Sequence, residues 1–321
     1  MYPSPCPCAA KLERSGKLDY NIIEENNKII IKNIEDFEPK HIFECGQAFR
    51  WYLEDDGSYT IVHRNRILNI KREGEDIILS NTNRSEFQRV WYNYFDLDRD
   101  YGKIKKQLSK DPILEEAIEF GKGIRILNQD PFETTISFII SANNQIPRIK
   151  KSIELISKKY GEEIPIYDST SPSYKTSHKY FSFPKAEVLA KAEEKNLEEN
   201  CKVGYRAKYI VNTSNMISTG QIELAKLFKL PTEEAQELLM QLPGVGPKVS
   251  NCILLFSLNK NDAFPVDVWV KRVMEYFYFK KDTKLKDISI YGKEKFGTLG
   301  GFAQQYLFYY AREKGIGKRK S

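Results

Sequence analysis

The spacing of apolar residues changes once along this chain, and that change limits what the chain can fold into. From Lys17 to about Asn81 the apolar residues come in short runs separated by turn formers. "YNIIEENNKIIIKNI" holds two runs around Glu25-Asn26-Asn27-Lys28. "FRWYLEDDGSYTIVHRNRILNIKREGEDIILSN" continues with turns at Asp55-Asp56-Gly57, Arg64-Asn65 and Glu73-Gly74-Glu75. Strands joined by such short turns predict an antiparallel meander. From about Arg84 onward, apolar residues recur three and four apart. The segments are "EFQRVWYNYF", "ILEEAIEFGKG", "PFETTISFIISANN", "RIKKSIELISKKYG", "KAEVLAKAEEKN", "AKYIVNTSNMIS" and "TEEAQELLMQ". Strands followed by a long run of helices define an α+β chain with the two classes segregated. The expected division is a leader over residues 1–16, an N-terminal antiparallel β-sheet domain with flanking helices over 17–120, and a helical region over 121–321.

Composition narrows the class. The chain has 321 residues, 41% hydrophobic and 29% charged, as soluble globular proteins do. Fifty Lys plus Arg against 44 Asp plus Glu leave a net charge of +6. That excess permits a polyanionic partner without requiring one. No apolar run is long enough to span a bilayer, and "MYPSPCPCAAKLERSG" lacks the pattern of a signal peptide, so it reads as a disordered leader. The basic tail "GIGKRKS" reads as frayed. Five scattered cysteines suggest a reducing compartment rather than a disulfide framework. His41, His63 and His178 are far apart in sequence, and without a close Cys/His cluster no metal site is expected.

One short segment carries chemistry. "LPGVGPKVSNC" (242–252) lies between the helix "TEEAQELLMQ", capped at Thr232, and a second apolar helix, "KVSNCILLFSL". "LPGVG" can only turn the chain tightly. Gly244 and Gly246 permit positive φ and close backbone approach, so the turn aims N–H groups outward as a phosphate site. This reads as a helix–hairpin–helix. Lys248 sits in the first turn of the second helix, where the macrodipole disfavours a cation by about 0.3–1 kcal/mol. A solvated, phosphate-touching lysine is the plain reading. The sharper one is a nucleophile, because an attacking amine must be neutral, and desolvation and a helix N-terminus both favour that form. Asp267, after Pro265-Val266, sits where a loop enters another helix. It reads as an N-cap, and a fixed carboxylate there can also stabilise a cationic sugar as a glycosidic bond breaks.

Five segments together, "CGQAFRW" (45–51), "DPFETTISFIISANNQIPRI" (130–149), "VGYRAKY" (203–209), "LPGVGPKVSNC" with "PVDVWV" (265–270), and "GFAQQYLF" (301–308), carry a resemblance over about residues 18–315. The chain resembles the 8-oxoguanine DNA glycosylases of the helix–hairpin–helix–GPD superfamily. The resemblance implies two helical subdomains with the active site between them. Lys248 would attack the anomeric carbon, form a Schiff base and support strand nicking, and Asp267 would be the essential carboxylate. The lesion must be flipped out to be reached. Cys252, one turn beyond Lys248 on the same helix face, would press one face of the base, and Phe308 would stack on the other. Oxidised guanine gains a hydrogen at N7, so the reader should be an acceptor. The Gly46 carbonyl would serve, with no side chain to block approach. Gln304 would contact the pairing edge. On the opposite strand Asn143 would fill the vacated stack, Tyr205 would act as wedge, and Arg148 and Arg206 would read the widowed cytosine. Gly244, Gly246 and Lys248 would hold phosphate.

The implied partner is double-stranded DNA containing oxidised guanine, handled by a monomer away from membranes. A cytoplasmic, nucleoid-associated setting is the expectation for a prokaryotic host. No cofactor is expected, though the resemblance leaves room for a structural monovalent or calcium ion at the hairpin carbonyls. Trp269 stands where mammalian members have a phosphate-contacting histidine; an indole donates one hydrogen bond but no charge. The segment 160–184 matches the family only in its end, "YFSFP", and reads as a variable loop. Three alternatives fit less well. An endonuclease III or adenine glycosylase type needs four closely spaced cysteines for an iron–sulfur cluster, and no cysteine follows Cys252. An alkylpurine glycosylase would lack Lys248. A non-catalytic helix–hairpin–helix module explains the hairpin but not Lys248, Asp267 and "CGQAFRW" together.

Overall fold

The computed structural model describes residues 20–165 and 179–316; the expected leader, the middle of the 160–184 loop and the end of the basic tail lie outside them. Strands β1 (Ile22–Glu25), β2 (Lys28–Ile31), β3 (Trp51–Leu53), β4 (Tyr59–His63), β5 (Arg66–Glu73) and β6 (Asp76–Ser80) form one antiparallel sheet. The β1–β2 turn uses Asn26 and Asn27 at φ 44 and 62, the two-residue conformation that matches strand twist. The strand order is β1-β2-β6-β5-β4-β3. The expected meander therefore holds from β3 to β6, but the β1–β2 hairpin closes on β6, pairing Ile29 with Leu79 and Ile31 with Ile77. All four of these side chains are buried, and that shared apolar face sets the pairing. Between β2 and β3 lies a helix, α1 (Pro39–Glu44), where the spacing suggests only strands. Six residues are too few to display a helical period; Pro39 at the first position and the Glu38 side-chain cap start it.

The helices follow. One stretch runs through α2 (Arg84–Glu86), a π-helical turn (Phe87–Trp91) and α3 (Tyr92–Tyr94), then come α4 (Tyr101–Leu108), α5 (Pro112–Phe120), α6 (Pro131–Ser141) and α7 (Ile146–Tyr160). A ribbon of β7 (Glu163–Ile164) and β8 (Tyr180–Phe181) precedes α8 (Ala186–Leu189), α9 (Glu194–Asn200), α10 (Ala207–Ser218), α11 (Leu224–Leu227) and α12 (Thr232–Leu239). After them come α13 (Pro247–Ser257), α14 (Val268–Met274), α15 (Leu285–Phe296) and α16 (Gly300–Lys314). The same Asp-Pro device starts α5 and α6: Asp111 and Asp130 accept from the second and third helical N–H groups, and proline fills the first position.

Three details differ from the sequence expectations. "KAEVLAKAEEKN" is not one helix but two, α8 and α9, because packing against α10 places Leu189 and Leu197 in the core and outweighs propensity. Thr232 is not a cap: Pro231 takes that position, and the Thr232 hydroxyl donates to Asp262 Oδ1 at 2.7 Å. The lysine-rich helices α4 and α15 are not among the segments read as helical from the sequence, although Tyr101, Ile104 and Leu108 of α4 recur at helical spacing and are buried.

One buried apolar cluster lies under the sheet and includes Phe37, Phe43, Trp91 and Phe95. A second runs through the helices and takes in Ile104 and Leu108 of α4 and Leu114 and Ala117 of α5. Arg125 ties the two. It is fully buried, and Nε donates to Phe95 O at 2.8 Å, Nη1 to Asp36 O at 2.9 Å and Nη2 to Asp96 O at 2.7 Å. Those bonds are what make a buried charge tolerable there. Where α16 meets α13, the contact is a glycine. A Cβ on Gly301 would lie 2.2 Å from Leu255 Cδ1 of α13 and 3.0 Å from Asn261 O in the loop after it, so the α16 backbone lies closer to that loop than any side chain would allow.

Candidate active site and nucleic-acid interface

The hairpin between α12 and α13 is pinned from α10. Thr213 Oγ1 donates to Pro243 O at 2.9 Å, and Tyr209 packs against Gly244, whose absent Cβ would lie 3.0 Å from the tyrosine Cβ. Gly244 takes φ +82, whereas Gly246 is extended at φ −98 with open space around it. Only the first glycine therefore needs a left-handed backbone; the second supplies room. Unlike α5, α6 and α14, helix α13 has no side-chain cap. Its first N–H groups remain available to an anion.

Lys248 is the second residue of α13. Its Nζ lies 3.4 Å from Ser141 Oγ, at the end of α6, and 5.1 Å from the Phe138 ring centroid. Cys252 is buried one turn further on. Burial pushes its thiol up to about 11, opposed by the Lys248 charge and reinforced by the Asp267 carboxylate. Lys248 and Asp267 thus each lie within electrostatic reach of Cys252. A thiol so raised stays protonated at neutral pH, so it meets its surroundings as a neutral, polarisable group. Cys252 is accordingly expected to resist iodoacetamide at pH 7.5 and to react faster as pH rises towards 11, by peptide mass spectrometry. Rapid labelling at pH 7.5 would show a thiolate instead.

Asp267 caps α14, its Oδ1 accepting from Trp269 N at 2.9 Å and Val270 N at 2.8 Å. Both bonds use one oxygen, which leaves Oδ2 outside the cap. The Arg272 guanidinium carbon lies 5.0 Å from the Trp269 ring, which places a permanent charge beside the indole.

Gly46 and Phe308 meet directly. At φ +82, a Cβ on Gly46 would lie 3.1 Å from Phe308 Cε1 and 3.3 Å from Arg312 Nη1. One turn earlier on α16, Gln304 is 4% exposed, and its Oε1 is buried with no hydrogen-bond partner among the described residues. An orphaned buried acceptor costs about 1–3 kcal/mol unless a ligand pairs with it. The surrounding "CGQAFRW" loop is locked by Gln47, which is fully buried. Its Nε2 donates to Ile42 O at 2.9 Å and Arg125 O at 2.8 Å, and its Oε1 accepts from Leu127 N at 2.9 Å. Gly46→Ala is expected to slow base excision about tenfold, because a side chain at this φ costs about 1–2 kcal/mol before any clash. Single-turnover excision measures it, and an unchanged rate would show that the turn has slack.

Of the residues expected at the opposite strand, Asn143, Tyr205 and Arg206 adjoin one another. Asn143 follows α6 in the left-handed region at φ 49 and is exposed. Tyr205 is 58% exposed, with the Arg206 guanidinium carbon 4.5 Å from its ring centroid. Arg148 is exposed near the start of α7, with no ion pair among the described residues. Arg206 differs from a free reader. It is buried, and Nε donates to Ala142 O at 3.1 Å, Nη1 to Val203 O at 3.2 Å, and Nη2 to Ala142 O at 2.6 Å and Asn143 O at 3.1 Å. Of its five N–H groups, only one on Nη1 stays open. Arg206 therefore builds the turn that presents Asn143. Gln47, Phe138, Ser141 and Gln305 lie in the segments that carry the resemblance but receive no role from it, and Arg312 lies outside them; only tertiary contacts show that they support the groups above.

Residues 136–294 match the HhH-GPD superfamily of base excision DNA repair proteins, and residues 29–135 match the 8-oxoguanine DNA glycosylase N-terminal domain. A probable N-glycosylase/DNA lyase of Methanothermobacter thermautotrophicus is 31% identical, covering 73% of this chain and 77% of its own length. The Arabidopsis thaliana N-glycosylase/DNA lyase OGG1 is 29% identical, covering 83% and 75%. The crystal structure of Clostridium acetobutylicum 8-oxoguanine glycosylase/lyase with double-stranded DNA containing cytosine opposite 8-oxoG matches with TM-score 0.88 and 47% identity, over 93% of this chain and 100% of that one. Fold and hairpin thus define a helix–hairpin–helix base-excision repair protein. Within that class, the chain belongs to the 8-oxoguanine DNA glycosylase family.

Proposed function

We propose that the chain flips 8-oxoguanine out of duplex DNA, excises it by amine attack and then nicks the abasic strand. The observation that supports this most is the Lys248 amine at the uncapped start of α13, beside Ser141 and one turn before the buried Cys252. In this reading the neutral Lys248 amine bonds to C1′ as the C1′–N9 bond breaks and its electron pair leaves with the base. The sugar ring then opens to an iminium. Loss of a C2′ proton expels the 3′ phosphate, and hydrolysis frees the amine. Asp267 offsets positive charge on the sugar while the first bond breaks. The residues named act without a cofactor.

Gly46, Gln304, Phe308 and Cys252 form the lesion slot in this reading. Asn143, Arg148, Tyr205 and Arg206 hold the opposite strand, and the hairpin amides at Gly244 and Gly246 grip phosphate. No described helix is long and apolar enough to cross a membrane; for a prokaryotic host, a cytoplasmic, nucleoid-associated site of action belongs to the same proposal. Excision of 8-oxoguanine placed opposite each of the four bases tests it. Cytosine should be strongly preferred over adenine, and removing an arginine that makes a buried charge-assisted contact should cost about 1.5–3 kcal/mol of that preference. Equal rates opposite all four bases would reduce these residues to backbone contacts.

A further inference from the structure

The backbone carbonyls around Gly46 are not equivalent. Glu44 O accepts from Arg312 Nη2, Cys45 O from Gln305 Nε2 at 2.7 Å, and Gln47 O from Gln129 Nε2 at 2.8 Å. Among the described residues, no donor reaches Gly46 O. Two of the three donors come from one face of α16, the helix that also carries Phe308. Arg312 is 17% exposed on its side chain, lies 5.4 Å from the Phe308 ring centroid, and flanks the space where a Gly46 side chain would stand.

We infer that Gln305 and Arg312 are positioning residues for lesion discrimination, which hold the peptide planes of 44–46 so that Gly46 O alone in the turn faces an incoming donor. The inference rests on Gly46 O as the group that reads N7–H of the oxidised base. Guanine and its oxidised form differ there by one hydrogen, so a carbonyl that wavers loses the distinction. A hydrogen bond weakens steeply as its angle closes. Pairing the carbonyls on either side fixes the angle from outside the slot. Arg312, bonded to Glu44 O and lying against Phe308, ties the reading carbonyl to the ring that would stack on the base.

The test compares two reactions of one protein. Gln305→Leu, Arg312→Met and Arg312→Lys are assayed for single-turnover excision of 8-oxoguanine opposite cytosine, and for nicking of a preformed abasic site, where there is no base to read. The first two are expected to excise about tenfold more slowly, the scale of one buried hydrogen bond, and to nick the abasic site at the parent rate. Arg312→Lys, which keeps a donor for Glu44 O, should recover most of the excision. Excision and nicking falling together would mean that the pair only stabilises the fold, and unchanged excision would mean that the turn holds itself; either overturns the inference. A parent chain that nicks abasic sites but leaves 8-oxoguanine in place would instead sink the proposed function.

Discussion

Borohydride added during turnover is expected to lock the chain covalently to lesion-bearing DNA, and Lys248→Gln to lose that adduct together with strand nicking. The expectation rests on placement. Lys248 stands in the first turn of α13, where no carboxylate cap competes for it, with Ser141 Oγ at 3.4 Å and an aromatic ring beneath. Glutamine keeps most of the side-chain length and a donor for Ser141, so the fold should survive while the nucleophile is gone. The comparison residue is Lys150. Burial lowers its amine to about 8, yet that amine donates to Trp51 O at 2.8 Å and lies 3.3 Å from the Trp51 ring centroid. Lys150→Gln should therefore trap normally. An adduct that persists in Lys248→Gln would put the covalent chemistry on another amine.

Asp267→Asn is expected to slow excision at least about a hundredfold, the scale of a lost preorganised electrostatic group. Asparagine can still accept from Trp269 N and Val270 N, so α14 keeps its cap and only the charge is removed. Breaking the glycosidic bond builds positive charge on the sugar, and the amine does nothing to offset it. Binding to lesion DNA should persist, because the hairpin, Gly46 and the opposite-strand residues are untouched. Gel-shift affinity and single-turnover excision measured side by side decide the matter. An equal loss of both would make Asp267 a structural cap and nothing more.

These assignments were legible where chemistry is local. A hairpin of two glycines and two prolines has few conformations, and an aspartate before a helix has one obvious partner. The segment 207–218 was readable because its apolar period runs through the whole of α10. The site is less legible where it is assembled from afar. Gln305 reaches Cys45 across 260 positions and Arg312 reaches Glu44 across 268, and neither residue type signals such a contact. Arg206 shows the converse. Its motif implies a reader of cytosine, but the fold commits most of its donors to Ala142, Asn143 and Val203.

Gly301 acts as a spacer behind the proposed lesion slot, where α16 passes Leu255 of α13 and the loop that follows it. On α13, Leu255, Cys252 and Lys248 follow one another at helical spacing away from the crossing; on α16, Gly301, Gln304 and Phe308 do the same. The two rows leave a common pivot and each runs about 10 Å, seven residues at 1.5 Å per residue, to its far end. In the proposed reading these two rows carry the opposite faces of the slot, so its width depends on how closely they approach at Leu255 and Gly301. Leu255 Cδ1 could swing aside for a methyl group at position 301, but the Asn261 and Ala263 carbonyls at 3.0 and 3.2 Å are backbone and cannot. A single added carbon there would push α16 away from that loop without altering any residue proposed to face DNA. Loss of fit for the oxidised base can thus originate well away from the groups that grip it.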